Sequence, residues 1–243
     1  MNNLYTPVIT LKNGRKFTPR KISRVLFIHA NNDMIDMDIG SGRKIVVMAS
    51  GRGTTFKAIA RASLSREINA EISALICNNP AAGAIDIAKN LGIRYHIIPR
   101  GGKRMNQELE KLLEQLSPDL VVLAGFLKII PPHIIERYRE KIINTHPSLL
   151  PCFGGMGFYG IKVHKSVIAS GAKFSGCTVH FVSDDVDGGP IISQEVVPVS
   201  SNDDAQSLER KVHEKELDLI VRTIRDLLER KYRIVGKRVI FYQ

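Results

Sequence analysis

Between residues 44 and 146 the chain alternates short aliphatic runs with stretches of helical length, and that pattern admits few folds. Residues 44–50, 72–77, 94–98 and 120–125, and the run that ends in Asn144-Thr145-His146, are strand candidates with little polar alternation. Residues 56–65, 81–91, 105–116 and 132–139 suit helices, the second stopped by Gly92 and the last opened by Pro132. Continuous aliphatic strands are buried on both faces, and strands separated by helices pair in parallel. The expected fold class is therefore α/β: a Rossmann-like, mostly parallel sheet with helices on both faces. Past residue 151 the rhythm changes. Residues 153–160 form a glycine-rich loop and 162–170 a helix. Residues 176–182 and 190–199 read as an antiparallel pair, 204–231 as a long helix, and 232–243 as a closing hairpin around Gly236-Lys237. The C-terminal portion of the sheet is thus antiparallel.

Active sites in such sheets lie beyond the C-terminal ends of the strands. Two chemically loaded stretches fall there. In Ile142-Ile143-Asn144-Thr145-His146-Pro147, Asn144 and His146 are two residues apart in a strand and share a face, and Pro147 ends the strand. They are either satisfied polar groups at a strand exit or an amide donor beside a proton-trading imidazole. Gly51-Arg52-Gly53-Thr54-Thr55 follows a strand and opens a helix, a site for an anion or a plain tight turn. It is not a dinucleotide fingerprint, because Phe56 replaces the third glycine and no acid follows the second strand at Cys77-Asn78-Asn79. The lysine of a P-loop is missing too.

Two acids stand out. Asp187 precedes Gly188-Gly189-Pro190, a turn-forming stretch, and becomes interesting if a histidine is near. His180, between Val179 and Phe181, is a core histidine or one that supports such a site. Glu216 interrupts an i, i+4 apolar stripe of Leu208, Val212, Ile220 and Ile224. A carboxylate there needs a partner, either a lysine or arginine at the core edge or a ligand amine.

Composition narrows the classes. The chain has 243 residues and a formal charge of +11, of which residues 1–43 carry +4 through seven basic and three acidic residues. The rest is spread without interleaved aromatics, which suits steering of polyanionic small molecules better than nucleic-acid binding. No apolar run approaches a membrane span of ~20 residues, and the N-terminus lacks a secretory pattern. Cys77, Cys152 and Cys177 form no Cys-x-x-Cys pair, which argues for a reducing cytoplasm and against a zinc site. Residues 1–43 differ in texture, with a hairpin signal at Asn13-Gly14 and a further strand near 24–30 before a polar run to Gly42. They are expected to be an N-terminal extension, a small β appendage or flexible arm, preceding a main domain over 44–243.

Taken together, Ser50-Gly51-Arg52-Gly53-Thr54, Val122-Leu123-Ala124-Gly125-Phe126-Leu127, Asn144 to Pro151, Gly176 to Val182, Asp187 to Ile192 and Val212-His213-Glu214-Lys215-Glu216 resemble the phosphoribosylglycinamide formyltransferase family over about residues 44–235. The resemblance implies a formyltransferase fold. It implies direct transfer of the formyl group of 10-formyltetrahydrofolate, as co-substrate and without a metal, to the amine of glycinamide ribonucleotide in purine synthesis. Asn144, His146 and Asp187 match the family's catalytic triplet. Gly53, Thr54 and Thr55 match the phosphate loop for the ribotide, and Ser148 and Glu216 match contacts in the same substrate site. Leu127, Lys128, Ile129 and Ile130 match the wall of the pterin pocket; a family arginine that binds ligand near the third helix has no clear counterpart, and Lys103 or Arg104 is the expected substitute. Thr55 stands where many members have Asn, and the loop that begins at Cys152 is longer than in the shortest members. Formyltetrahydrofolate deformylase is the nearest alternative, but it normally carries a regulatory domain larger than residues 1–43. Methionyl-tRNA formyltransferase carries a C-terminal tRNA-binding domain, and here the chain stops soon after the long helix. The expected partners are small molecules, with no nucleic acid and no membrane; a homodimer is left open.

Overall fold

The computed structural model describes residues 42–242 and four short strands before them. The chain divides into two compact units, Met1–Gly42 and Arg43–Gln243. In the first, β1 (Ile9–Thr10) and β2 (Lys16–Phe17) pair antiparallel, as do β3 (Arg24–Ile28) and β4 (Met34–Asp38). The Asn13-Gly14 turn lies outside the described residues. Strand β4 corrects the expectation of a polar run there. Its sequence alternates Ile35 and Met37 with Asp36 and Asp38, a period of two that the abundance of acids obscured.

The second unit contains nine strands: β5 (Lys44–Ala49), β6 (Glu71–Cys77), β7 (Tyr95–Ile97), β8 (Leu120–Leu123), β9 (Ile142–His146), β10 (Phe174–Phe181), β11 (Ile191–Pro198), β12 (Tyr232–Val235) and β13 (Arg238–Phe241). They form one sheet in the order β12-β13-β11-β10-β9-β8-β5-β6-β7. From β9 to β7 all neighbours are parallel. Strand β10 runs antiparallel to both β9 and β11, and β12 to β13. The strand order reverses at β5, which lies between β8 and β6, so a crevice opens beyond the ends of β5 and β8.

Helices cover both faces because each parallel strand alternates its aliphatic residues between them. Ile45, Val47 and Ala49 pack with α1 (Thr54–Leu64), α2 (Gly83–Asn90), α5 (Ile161–Ser170) and α6 (Ala205–Glu229). Val46 and Met48 pack with α3 (Gly102–Leu116) and α4 (Pro132–Arg137). This is the α/β architecture that the strand pattern implied, with its antiparallel C-terminal part. Helix α6 starts in a capping box: the Ser207 N–H donates to Asp204 Oδ1 at 2.7 Å and the Asp204 N–H donates to Ser207 Oγ at 3.0 Å. Losing such a cap costs about 1 kcal/mol. Leu208, Val212, Ile220 and Ile224 are fully buried, so the stripe that carries Glu216 does face the sheet.

Candidate active site

A cavity of about 700 Å³ opens at the crevice. Three loops that follow β5, β8 and β9 meet there. The turn after β5 is bound to the loop after β8, since the Ser50 N–H donates to Gly125 O at 3.1 Å and the Leu127 N–H donates to Ser50 Oγ at 3.0 Å. Gly53 begins α1 at φ 81°, and a Cβ there would lie 2.6 Å from the Ala84 Cα, so only glycine closes this turn. No side chain caps the first turn of α1, which leaves its N–H groups for another acceptor. Of this turn, Arg52 and Thr55 line the cavity; Gly53 and Thr54 do not. Leu127, Lys128, Ile129 and Ile130 also line it. Leu127 and Ile129 are 61% and 60% exposed, large apolar surfaces at the mouth.

Asn144, His146 and Asp187 converge. The β9–β10 register sets His180 directly opposite Asn144, and Asn144 Nδ2 lies 3.1 Å from His180 Nε2. His180 Nδ1 donates to Phe181 O at 2.9 Å, because a carbonyl can only accept. In the neutral ring Nε2 is then the acceptor, which fixes the Asn144 amide with its nitrogen toward His180. The same nitrogen donates to Asp187 Oδ1 over 3.5 Å. His146 Nδ1 is 3.3 Å from Asp187 Oδ2, and its Nε2 is 2.9 Å from Phe153 O. The Gly155 N–H donates to Asp187 Oδ2 at 2.9 Å, so the loop after Pro151 contributes to both groups.

The Asp187 loop is sterically determined. Asp187 sits at φ 57°, a region that Asp tolerates better than most residues. A Cβ at Gly189 would come within 1.8 Å of Phe181 O, so the loop can lie this close to β10 only with glycine.

The electrostatics follow from burial and pairing. Burial lowers the His146 pKa below the ordinary imidazole value, against the opposing pull of Asp187 and the Phe153 carbonyl. Burial pushes Asp187 upward, but the neighbouring His180 and His146 rings and the Gly155 N–H outweigh it, and the carboxyl stays below its usual value. The neutral His146 ring has one proton for two acceptors; protonation would satisfy both.

Glu216 reaches the same cavity from α6. Its partner is neither lysine nor arginine. Thr145 Oγ1 donates to Oε1 at 2.9 Å, and His213 Nδ1 lies 3.0 Å from Oε2. The hydrogen bond to Glu216 raises the His213 pKa against burial. At the rim, Arg52 pairs with Glu209 at 3.5 Å.

Besides Gly53 and Thr54, three expected site residues do not line the cavity. Ser148 is fully buried and donates to Cys152 O at 2.6 Å, while its own carbonyl accepts from Thr178 at 2.6 Å. It shapes the loop and does not line the cavity. Arg104 is exposed on α3, paired with Glu108 at 3.3 Å and away from the cavity. Lys103 likewise is not among the lining residues.

Three histidines matter that the sequence left without a role or in doubt. His180 and His213 were signalled only by a strand position and by the i, i+3 spacing to Glu216. His164, on α5, also lines the cavity; it is 2% exposed and its Nδ1 has no hydrogen-bond partner. Burial lowers its pKa, so folding favours the uncharged ring. The unfolded chain binds the proton more tightly, so stability present above the ordinary pKa is lost as pH falls toward the folded value. Thermal melts from pH 7.5 to 5 will show a falling Tm, and His164→Gln will make that fall shallower. An unchanged slope would mean that His164 does not titrate with unfolding.

Among the described residues, no cluster of three or more His, Cys, Asp or Glu side chains is arranged to hold a metal ion. No helix among them is long and apolar enough to cross a membrane.

A sheet whose switch point carries an Asn-x-His strand end, a carboxylate loop and an uncapped helix defines a class, and comparison agrees: the chain belongs to the formyl transferase family, whose model matches residues 43–224. Among its relatives in that family are phosphoribosylglycinamide formyltransferases. The chloroplastic enzyme of Vigna unguiculata is 40% identical over 78% of this chain, which spans 62% of that relative's length. The Haemophilus influenzae enzyme is 35% identical over 79% of this chain and 90% of its own length. The crystal structure of the Anaplasma phagocytophilum enzyme superposes with a TM-score of 0.75 at 31% identity, covering 84% of this chain and 96% of that one.

Proposed function

We propose that the protein transfers the formyl group of 10-formyltetrahydrofolate to the amine of glycinamide ribonucleotide in purine synthesis; its relatives are named for formyl transfer to that ribotide. One observation carries this reading. Asn144, His146 and Asp187 come together in one cavity that is also lined by the largely apolar segment Leu127–Ile130 and by the polar residues Arg52, Thr55 and Glu216. The apolar segment suits a pterin. The polar residues, with the uncapped start of α1 at Gly53, Thr54 and Thr55, suit a ribotide phosphate.

The amine nitrogen attacks the formyl carbon, a C–N bond forms and the carbonyl oxygen becomes an oxyanion. Asn144 then exchanges its long 3.5 Å contact with Asp187 for a shorter one to that oxyanion. His146 takes up the proton that the attacking amine sheds and lodges positive charge beside the oxyanion, held between Asp187 and the Phe153 carbonyl, before passing that proton on to N10. Collapse of the intermediate breaks the bond between carbon and N10. The amine's proton leaves and N10 gains one, with the Asp187–His146 pair as the relay.

In this reading residues 44–243 are the formyltransferase domain, residues 1–43 an extension, and the partners small molecules. The three free cysteines, Cys77, Cys152 and Cys177, favour a cytoplasmic location.

The test is loss of the formyl donor with and without the ribotide. Turnover that requires glycinamide ribonucleotide is the expected result. Turnover without it would make the protein a formyltetrahydrofolate deformylase, and no turnover in either mixture would overturn the catalytic reading.

A further inference from the structure

Strand β9 ends in three polar or titratable residues in a row, and the pleat sends them to opposite sides. Asn144 and His146 turn to Asp187. Ile143, two residues before Thr145, packs with α6 in the core on the other face. Thr145 therefore reaches the helix, where its hydroxyl donates to Glu216 Oε1 at 2.9 Å. The second carboxylate oxygen is held by His213 Nδ1 at 3.0 Å, one turn earlier on α6. The Glu216 side chain is 12% exposed and Thr145 is 7% exposed, so water does little to hold this acid.

We infer that Thr145 and His213 are positioning residues that lock the Glu216 carboxylate for the polar, ribotide end of the substrate. The inference rests on the function proposed above and deepens it. A free glutamate side chain costs up to ~2 kcal/mol of rotamer entropy to immobilise. Here one donor from the strand and one from the helix have already fixed it, and each carboxylate oxygen keeps a second lone pair for a ligand N–H or O–H. The arrangement also couples the two faces of one strand. The backbone that sets Asn144 and His146 also carries Thr145, so the acid that holds substrate moves with the groups that carry out the reaction.

A structural polar pair would affect folding alone. A positioning pair affects one substrate and not the other, and only while Glu216 is present. Thr145→Val keeps the β-branched shape and removes the hydroxyl; Thr145→Ser restores it. Loss of a hydrogen bond to a charged group predicts about a tenfold rise in the KM for glycinamide ribonucleotide in Thr145→Val. The KM for 10-formyltetrahydrofolate stays at the parent value, and Thr145→Ser recovers most of the loss. In a Glu216→Gln background, Thr145→Val adds nothing further. His213→Ala is expected to act in the same direction and to be equally silent in that background. Equal changes in both KM values, or full additivity with Glu216→Gln, would overturn the inference. Calorimetry of the parent protein with glycinamide ribonucleotide separates the two levels. No heat of binding refutes the proposed substrate; binding that Thr145→Val leaves unchanged refutes the positioning role alone.

Discussion

Asp187→Asn is expected to lower kcat by roughly 10²–10⁴ while both substrates still bind. The substitution is nearly isosteric, and Asn, like Asp, accepts the left-handed backbone found at residue 187. The loop should therefore keep its path over Gly189. What is lost is charge. In the parent protein the ionised carboxyl faces His146 Nδ1 at 3.3 Å and His180 Nε2 at 3.6 Å, and it accepts the Gly155 N–H at 2.9 Å. An amide oxygen can still accept a hydrogen bond, but it brings no negative charge to stabilise a protonated His146 in a site where burial already disfavours that charge. Steady-state kinetics with both substrates varied, together with calorimetric binding of each, is the measurement. A variant with near-parent kcat would remove Asp187 from the proton relay. A variant that fails to bind the folate would assign the loop to binding.

The second large effect is on stability. Phe181→Ala should destabilise the fold by about 3–5 kcal/mol. For a chain of this size that lowers Tm by on the order of 10 °C. Phe181 is 2% exposed, ends β10, and stacks on Tyr232 of β12 with 5.8 Å between ring centroids. Its side chain thus ties the hairpin that closes the sheet to the strand that carries His180. Its backbone has a separate task, since its carbonyl accepts from His180 Nδ1 and its N–H donates to Pro190 O at 2.9 Å. Alanine keeps that backbone, so activity per folded molecule at low temperature should change little, and Phe181→Leu should recover much of the Tm. A large loss of activity with Tm intact would mean that the ring serves the site directly.

The alternation of aliphatic runs and helices determined the fold class and placed the candidate residues at one end of the sheet. Local sequence can do this because burial on two faces leaves strands without polar alternation, and because Pro147, Gly53 and Gly189 mark where the backbone must turn. It also marked Glu216 as an acid that needed a partner. It failed where a residue type fits two places equally well. Ser148 matches a family pattern and Arg104 is only a substitute for a family arginine without a clear counterpart, yet one is sealed under the Cys152 loop and the other is exposed on α3. Strand β4 was missed because acids at every second position of a short segment read as a polar run.

Which groups touch was decided only by the tertiary structure. His180 opposes Asn144 through the β9–β10 register, across 36 positions of sequence. Thr145 meets Glu216 across 71, because β9 turns its odd residues toward α6. His146 sits between a carboxylate and a carbonyl because two loops, one after β9 and one after β10, close over it. The sequence by itself determined which elements form, since periodicity and turn chemistry act over a few residues. Partner choice depends on the register and packing of elements far apart in the chain, and no local pattern encodes that.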